Sequence, residues 1–218
     1  MQALFNQIAP NYDLLNRLLS FGRDQFWRKS ILSFLPQQDH LQVLDLATGT
    51  ADLAIMMVKN SKQVMHVTGV DPAIEMLKIG LKKVRQANLE ACIELQTGDA
   101  QQLNFPNNSF DVVTVAFGLR NIPAKQEALS EMKRVLKPGG KLIILEFSIP
   151  KNLFFRSIYL FYFRHILPRI GGLVSGDFKA YRYLNQSVET FSTREIDSMN
   201  AHPLSFGIAT IYVCDKLA

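Results

Sequence analysis

VLDLATGTADLA, residues 43–54, is the stretch that decides the fold of this chain. It runs from an apolar strand pattern with a carboxylate at Asp45, through a turn of small residues, into the start of a helix. Such a turn lets the backbone approach a ligand closely, and the amides at the start of the following helix are free to bind it. Asp71, in TGVDP at the end of the next strand pattern, follows Gly49 by the roughly 20 residues expected of an acid that binds ribose hydroxyls. The stretch therefore predicts a nucleoside-binding turn.

The charges of this turn distinguish between two kinds of ligand. The glycine positions of the dinucleotide pattern G-x-G-x-x-G hold Ala47, Gly49 and Asp52 here. A dinucleotide would set its pyrophosphate against the helix start, where Asp52 would repel it. S-adenosylmethionine carries a sulfonium and an ammonium and no phosphate, so Asp45 and Asp52 are complementary to it. The charge balance favours this methyl donor.

Alternating strand and helix patterns extend through most of the chain. Strand character appears at residues 42–46, 65–70, 91–96, 110–117 and 141–147, with helical patterns such as 74–86 and 126–135 between them. This alternation predicts a mostly parallel sheet with helices on both faces, the α/β arrangement of Rossmann-like class I methyltransferases.

Donor-binding candidates lie in the loop and at the ends of the predicted strands. They are Asp45, Ala47, Gly49, Thr50, Asp71, Asp99, Ala100 and Ala116. Asp99 and Ala100 follow the third strand, where a methyltransferase of this class would hydrogen-bond the adenine amino group. An aspartate there is equally typical of a turn or a helix cap.

Helical segments before and after the five strands predict a cap on a single domain over residues 1–218. Residues 1–35 form helices broken around Ser20–Gly22, and residues 151–200 are helical again. The two segments could cover the carboxyl edge of the sheet, where ligands of open α/β sheets bind. No metal site is expected.

The C-terminal residues predict one more helix and one more strand. The capping-box pattern at 192–195 indicates a short helix to about Met199, and the apolar run 208–214 indicates a last strand at the sheet edge. The NAHPLSFG segment between them is expected to be too short and too rich in turn residues to hold another strand.

The composition of the chain indicates where the protein is located and what kinds of partner it can have. The chain has only two cysteines, Cys92 and Cys214, far apart, so we expect no disulfide framework and a reducing cytoplasm. The start of the chain does not resemble a secretory signal, and the apolar run 153–167 is too short and too charged to span a bilayer. A net charge of +5 favours anionic neighbours, either nucleic acid or a membrane surface.

Two further segments narrow the interpretation to one family. YDLLNRLLSFGRDQFW (12–27) and FGLRN (117–121) resemble the paired signatures of the menaquinone and ubiquinone biosynthesis C-methyltransferase family. KPGGKLIILEFS (137–148), HILPRIGGLVSGD (165–177) and AYRYL (180–184) resemble its later blocks. The resemblance covers nearly the whole chain in order. It implies methylation of a ring carbon of a polyprenylated quinol, such as demethylmenaquinol.

The chain departs from the family's pattern at several positions. Leu15 stands where the family usually has Met, which keeps the volume, and Asp24 stands where it often has His. Ala47 and Ala51 stand at positions of the loop where the family has glycine. Between Met199 and Pro203 the family would have an AGF-like turn and a sixth strand, of which several residues are absent here. We expect omission of a stretch rather than loss of the strand, because the last strand would otherwise be badly supported.

Methylation of a ring carbon requires an electron-rich ring, preferably an ionised quinol. A phenolic hydroxyl titrates near ~10, so the site must lower that value. Arg120 in FGLRN is placed to stabilise the anion electrostatically, since arginine itself stays protonated. Tyr12 and His165 are candidates to relay the proton, and Asn121 to orient the ring. Each also has an ordinary structural interpretation: cap packing, a structural histidine and a turn residue, respectively.

The isoprenoid tail needs an apolar channel. Its candidate lining residues are Trp27, Phe154, Phe155, Tyr159, Phe161, Tyr162 and Phe163, although core packing explains at least half of them. Peripheral contact with the inner face of the membrane follows from the same segment and the basic excess. A homodimer is compatible with the sequence, which does not fix the oligomeric state.

Two other functions are less compatible with the sequence. A nucleic-acid methyltransferase commonly carries an Asn/Asp-Pro-Pro-aromatic turn after the fourth strand or a cysteine nucleophile near it, and this chain has AFGLRN there and no nearby cysteine. Nucleic acid is therefore not an expected partner. A non-catalytic scaffold would explain the thinned loop, but Asp71, Arg120 and Asn121 are retained.

Overall fold

One seven-stranded sheet runs through the middle of the molecule. The computed structural model describes residues 2–169 and 178–217, and for residues 178–182 the backbone alone. The strands are β1 (Leu41–Leu46), β2 (Val64–Asp71), β3 (Ile93–Thr97), β4 (Phe110–Ala116), β5 (Leu136–Phe147), β6 (Asn200–Leu204) and β7 (Ala209–Asp215). They pair in the order β3-β2-β1-β4-β5-β7-β6. The first five are parallel, and β7 is antiparallel to both β5 and β6.

The helices follow the strands in the expected alternation. They are α1 (Gln2–Leu19), α2 (Arg23–Ser30), α3 (Asp52–Asn60), α4 (Ile74–Gln86), α5 (Lys125–Val135), α6 (Leu153–Phe161) and α7 (Phe178–Glu189). A π-helical turn at Tyr162–Ile166 continues α6. The predicted α/β fold class is confirmed. The predicted break between the first two helices is confirmed as well, since Phe21 and Gly22 have φ of 52° and 73°.

Apolar side chains cover both faces of the sheet, as the near-continuous hydrophobic runs of β1 and β4 require. On one face Val43 and Val112 pack with Met57 of α3, and on the other Leu44 and Val113 pack with Met132 of α5. All of these side chains are fully buried. The sheet is therefore rigid at its centre, and its carboxyl edge offers a fixed platform for ligands.

The predicted helix at 192–199 is wrong. Successive turns replace it, with the amide of Ile196 donating to the carbonyl of Thr193 and the amide of Met199 donating to that of Ile196. The Thr193 hydroxyl donates to the Asp197 carboxylate at 2.6 Å instead of capping a helix. This side-chain contact competes with the helical hydrogen bonds that the pattern predicted.

The prediction that NAHPLSFG holds no strand is also wrong. Its residues Asn200–Leu204 form β6, which pairs with β7 over its full length. Pro203 is compatible with β6 because β6 is the edge strand, where proline is tolerated. Since β5 and β6 support β7 on both sides, the sheet gives no reason to infer omitted residues between Met199 and Pro203.

Cap helices pack together beside the carboxyl edge of the sheet. Leu15 of α1, Tyr159 of α6 and Val188 of α7 share one buried cluster. Charged contacts tie α1 to the core: Arg17 pairs with Asp52 at 3.1 Å, and Lys83 pairs with Asp13 at 2.7 Å. Of the family-like block at 165–177, residues 170–177 lie outside the described residues. Within the described ranges, no helix is long and apolar enough to cross a membrane.

Candidate active site

Two adjoining cavities open at the carboxyl ends of β1, β2 and β4. The smaller has a volume of about 230 Å³ and lies between the glycine-bearing loop and the ends of β2 and β4. The larger, about 650 Å³, lies between the cap helices and the aromatic residues that follow β4 and β5. Phe5, Tyr12 and Phe117 line both cavities. A ligand in one cavity would therefore meet a ligand in the other at these residues.

Asp71 organises the smaller cavity. Its carboxylate accepts hydrogen bonds from the amides of Gly49 at 2.9 Å and Ala73 at 2.8 Å, which joins the loop to the end of β2. Gly49 has φ of 56°, and a Cβ there would meet nothing within 4 Å, so its backbone faces open space. Burial raises the pKa of Asp71 despite these two hydrogen bonds. A carboxylate has further lone pairs, which leaves it able to bind hydroxyl donors.

The smaller cavity is acidic in character. Asp71 and Asp99 line it, and its described lining contains no lysine and no arginine. Such a lining suits a ligand that carries positive charge and disfavours a pyrophosphate. The predicted residues Ala47, Gly49, Ala100 and Ala116 also line it.

Asp45 and Thr50, which were predicted to bind the donor, line neither cavity. The Asp45 carboxylate is buried beneath the loop, where it accepts from the hydroxyls of Thr48 and Thr114, both at 2.7 Å. Thr50 is turned away and donates to Asp13 at 2.6 Å. Asp52, proposed as complementary to the donor's charge, pairs with Arg17 and Lys83 instead. All three side chains thus have protein partners that hold the loop in place.

Asp45 is expected to make stability depend on pH. Burial raises its pKa from 3.8 to about 6, so between these values the folded state holds a proton that the unfolded state has lost. Stability contributed by this group therefore falls as pH rises from about 4 to 6. Relative to an Asp45→Asn variant, the wild-type free energy of unfolding should fall by about 2 kcal/mol between pH 4 and pH 7. Urea denaturation of both proteins across this range measures it, and parallel stability curves would refute it.

Arg120 lies in the wall of the larger cavity, and its charge is paired. Its Nη1 donates to Glu146 Oε1 and to the Phe117 carbonyl, both at 2.6 Å, and its Nε donates to Ser187 at 3.3 Å. The guanidinium also lies 5.2 Å from the centre of the Phe147 ring. Glu146 is fully buried. The pair fixes the orientation of Arg120 and reduces its net charge.

A second ion pair, which sequence reasoning missed, lies in the same cavity wall. Asp24 accepts from Arg28 Nη1 at 2.7 Å and from the Ser20 hydroxyl at 3.0 Å, and it also pairs with Arg17. The Arg28 guanidinium lies 5.4 Å from the centre of the Phe117 ring. Asp24 thus places a buried carboxylate where the resembled family often has an imidazole.

The other proposed catalytic residues are separated by the structure. Tyr12 lines both cavities, and Asn121 lines the smaller one, where it accepts from the Tyr183 hydroxyl at 2.8 Å. His165 is exposed, lies 5.3 Å from the Phe161 ring and lines neither cavity. The structure therefore does not bring His165 together with Tyr12, Asn121 and Arg120.

The aromatic candidates for the tail fall into two groups. Trp27, Tyr159, Tyr162 and Phe163 line the larger cavity. Phe154 and Phe161 are instead 68% and 61% exposed, and Phe155 stacks at 4.3 Å on Phe206, which lines the cavity and is itself 72% exposed. An apolar surface therefore extends from the larger cavity to the outside of α6.

Comparison with known proteins gives consistent results. The model of the ubiE/COQ5 methyltransferase family matches residues 1–207. A demethylmenaquinone methyltransferase of Thermus thermophilus is 44% identical over 222 residues, covering 98% of this chain and 100% of that protein. A ubiquinone/menaquinone biosynthesis C-methyltransferase UbiE of Geotalea daltonii is 39% identical, covering 99% and 96%. A crystal structure of a SAM-dependent methyltransferase from Aquifex aeolicus has a TM-score of 0.60 at 16% identity, covering 94% and 98%.

Proposed function

Since the chain belongs to the ubiE/COQ5 methyltransferase family, we propose that it transfers a methyl group from S-adenosylmethionine to a ring carbon of a polyprenylated quinol, most directly demethylmenaquinol. The observation that carries the proposal is the pair of adjoining cavities. One is small and acidic, the other is large and mostly aromatic, and they meet at Tyr12 and Phe117. A cationic donor in the first cavity and an apolar acceptor in the second would meet at these residues.

The residues of the smaller cavity fit the donor. Asp71 can accept hydrogen bonds from the ribose hydroxyls. Asp99 can accept a hydrogen bond from the adenine amino group, and Ala100 can pack against the adenine. The absence of lysine and arginine from the described lining suits the sulfonium and the ammonium. When bound, S-adenosylmethionine would supply an electrophilic methyl group to the ring carbon in place of the ring proton, and the sulfonium that loses its methyl would leave as S-adenosylhomocysteine.

Arg120 would prepare the acceptor. Its orientation is fixed by Glu146, Phe117 and Ser187, and in the described part of the chain its Nη2 makes no further hydrogen bond. That group can donate to a quinol oxygen and favour its ionised form. Tyr12, at the junction of the cavities, and Asn121 would position the ring against the donor.

A nucleic-acid substrate is the alternative. The net charge of +5 allows it, but Cys92 and Cys214 line neither cavity, so a cysteine nucleophile is not at hand. The deciding experiment offers purified protein a labelled donor with reduced demethylmenaquinol, with total RNA or with DNA. We expect label in the quinol extract alone, and label in nucleic acid alone would replace the proposal by the alternative.

We also propose that the protein meets its substrate at the cytoplasmic face of the membrane. Leu153, Phe154, Ile158 and Phe161 form an exposed apolar face of α6, and Phe21 and Phe206 continue it to the larger cavity. Arg156 and Arg169 are exposed nearby, whereas Arg164 is paired with Glu189 at 2.6 Å. Each free cation near an anionic surface contributes about 1 kcal/mol.

Vesicle binding should therefore be reversible and salt-sensitive. We expect a Phe154→Ser/Phe161→Ser variant to bind anionic vesicles about tenfold more weakly, because apolar surface that enters the headgroup region is lost. Met65→Ser is the matched control, since Met65 is 55% exposed at the start of β2, away from the carboxyl edge. Co-sedimentation across a salt series measures both. Equal binding to anionic and neutral vesicles, or none to either, would rule out this docking mode.

A further inference from the structure

Arg28 is a buried cation with unused donors in the wall of the larger cavity. Its side chain is 9% exposed, and its Nη1 donates to Asp24. In the part of the chain that the structure describes, its Nε and Nη2 have no hydrogen-bond partner. A buried guanidinium is costly unless its donors are satisfied by protein, water or ligand. Because Arg28 lines the cavity, these donors are available to a ligand there.

Asp24 provides an acceptor beside these donors. Its Oδ2 is occupied by Arg17 and Arg28, whereas its Oδ1 accepts one described hydrogen bond, from Ser20 at 3.0 Å. The carboxylate can therefore accept another hydrogen bond. A donor and an acceptor side by side are the complement of a hydroxyl group, which both accepts and donates.

The position of this pair relative to Arg120 suggests what it binds. Phe117 and Phe147 are neighbours with ring centres 4.4 Å apart, and Arg28 lies over the first while Arg120 lies over the second. Both guanidiniums line the same cavity, each held by its own carboxylate. A quinol carries two oxygens on opposite ring carbons. The cavity thus offers one cationic group for each.

From these contacts we propose that Arg28 and Asp24 form a subsite for the second quinol oxygen, while Arg120 binds the first. The inference rests on the proposed quinol substrate. Arg28 donates a hydrogen bond to the oxygen of this hydroxyl, and Asp24 accepts a hydrogen bond from the same hydroxyl. An oxidised ring has a carbonyl at this position and cannot donate to Asp24, so the subsite selects the reduced ring.

Arg28→Gln tests the assignment by binding measurements under anaerobic conditions. The probes are a short-chain demethylmenaquinol and the two 1-naphthol analogues that each lack one of its hydroxyls. We expect the variant to bind the quinol at least tenfold more weakly, with unchanged affinity for S-adenosylmethionine. The difference between variant and wild type should vanish for one analogue and persist for the other. Arg28→Lys, which keeps a charge beside Asp24 but not the planar fork, should also lose most of the affinity.

Arg17→Gln is the matched control, because Arg17 pairs with the same Asp24 carboxylate but does not line the larger cavity. It should leave quinol affinity unchanged. Asp24→Asn should reduce the preference for quinol over quinone about tenfold. The subsite is refuted if Arg28→Gln binds quinol like wild type, if Arg17→Gln reproduces its effect, or if the effect is equal for both analogues. Failure of the wild type to bind any quinol would instead refute the proposed function.

Discussion

Replacing Arg120 by lysine is expected to lower kcat by about 100-fold while leaving the affinity for S-adenosylmethionine unchanged. Arg120 uses its planar fork to reach Glu146, the Phe117 carbonyl and Ser187 at once, with Nη2 left for the substrate. A lysine ammonium is a single point of charge and cannot hold this geometry. Donor affinity should persist because Arg120 does not line the smaller cavity. Single-turnover kinetics and calorimetry measure the two quantities separately.

Two comparisons make this result specific. Arg134 forms a similar fork with Glu131 and the Leu103 and Phe105 carbonyls outside both cavities, so Arg134→Lys should retain normal turnover. Raising the pH should partly restore Arg120→Lys, because a free phenol ionises by itself as the pH approaches ~10. Near-normal turnover of Arg120→Lys, with chemistry as the slow step, would show that Arg120 does not stabilise the phenolate.

Asp71→Ala is expected to weaken donor binding by about 1–3 kcal/mol, which corresponds to about 5- to 150-fold in Kd. The substitution removes the carboxylate that would bind the ribose hydroxyls and that holds the amides of Gly49 and Ala73. Asp71→Asn keeps the size of the side chain and one acceptor oxygen, so its donor affinity should lie between those of the wild type and Asp71→Ala. Isothermal calorimetry provides the measurement.

Asp111 is a suitable control for this experiment. It is as buried as Asp71, at 8% exposure each, and it also accepts a backbone hydrogen bond, from Gln42 at 2.9 Å. However, it lies at the start of β4, at the opposite edge of the sheet. Asp111→Ala should therefore leave donor affinity unchanged. An unaltered Kd for Asp71→Ala would remove Asp71 from the site.

The parts of the fold that local patterns control were predictable from the sequence. The five parallel strands and the helices between them follow from hydrophobic runs and periodicity, and the break at Phe21–Gly22 follows from turn residues. The C-terminal region was not predictable in this way, because β6 forms by pairing with β7 and no periodicity in NAHPL indicates that pairing. Side-chain contact between Thr193 and Asp197 likewise overrode a helix start that the sequence favoured.

The residues of the site likewise divide into those that the sequence predicts and those that it does not. Residues of the glycine-bearing loop and the strand ends were predictable because their spacing along the chain sets their place in a parallel sheet. Glu146 was missed because its partner, Arg120, lies far away in sequence. Arg28 was missed because its spacing to Asp24 predicts an ordinary pair on a helix and does not show that the pair faces the Phe117 ring and the cavity. A carboxylate within the otherwise apolar run KLIILEF was the one local signal for Glu146. The position of His165 outside both cavities was not predictable, because a helical pattern alone does not show which way the π-helical turn directs its side chain.

The central claim is that methyl transfer ends on a ring carbon of the quinol. The most direct test incubates purified protein with donor carrying a deuterated methyl group and with reduced demethylmenaquinol, and then locates the label in the product by mass spectrometry and NMR. We expect a single deuterated methyl group bonded to the ring carbon, formed from the quinol and not from the quinone. Label on a quinol oxygen, or no transfer by a protein that binds both donor and quinol, would contradict it.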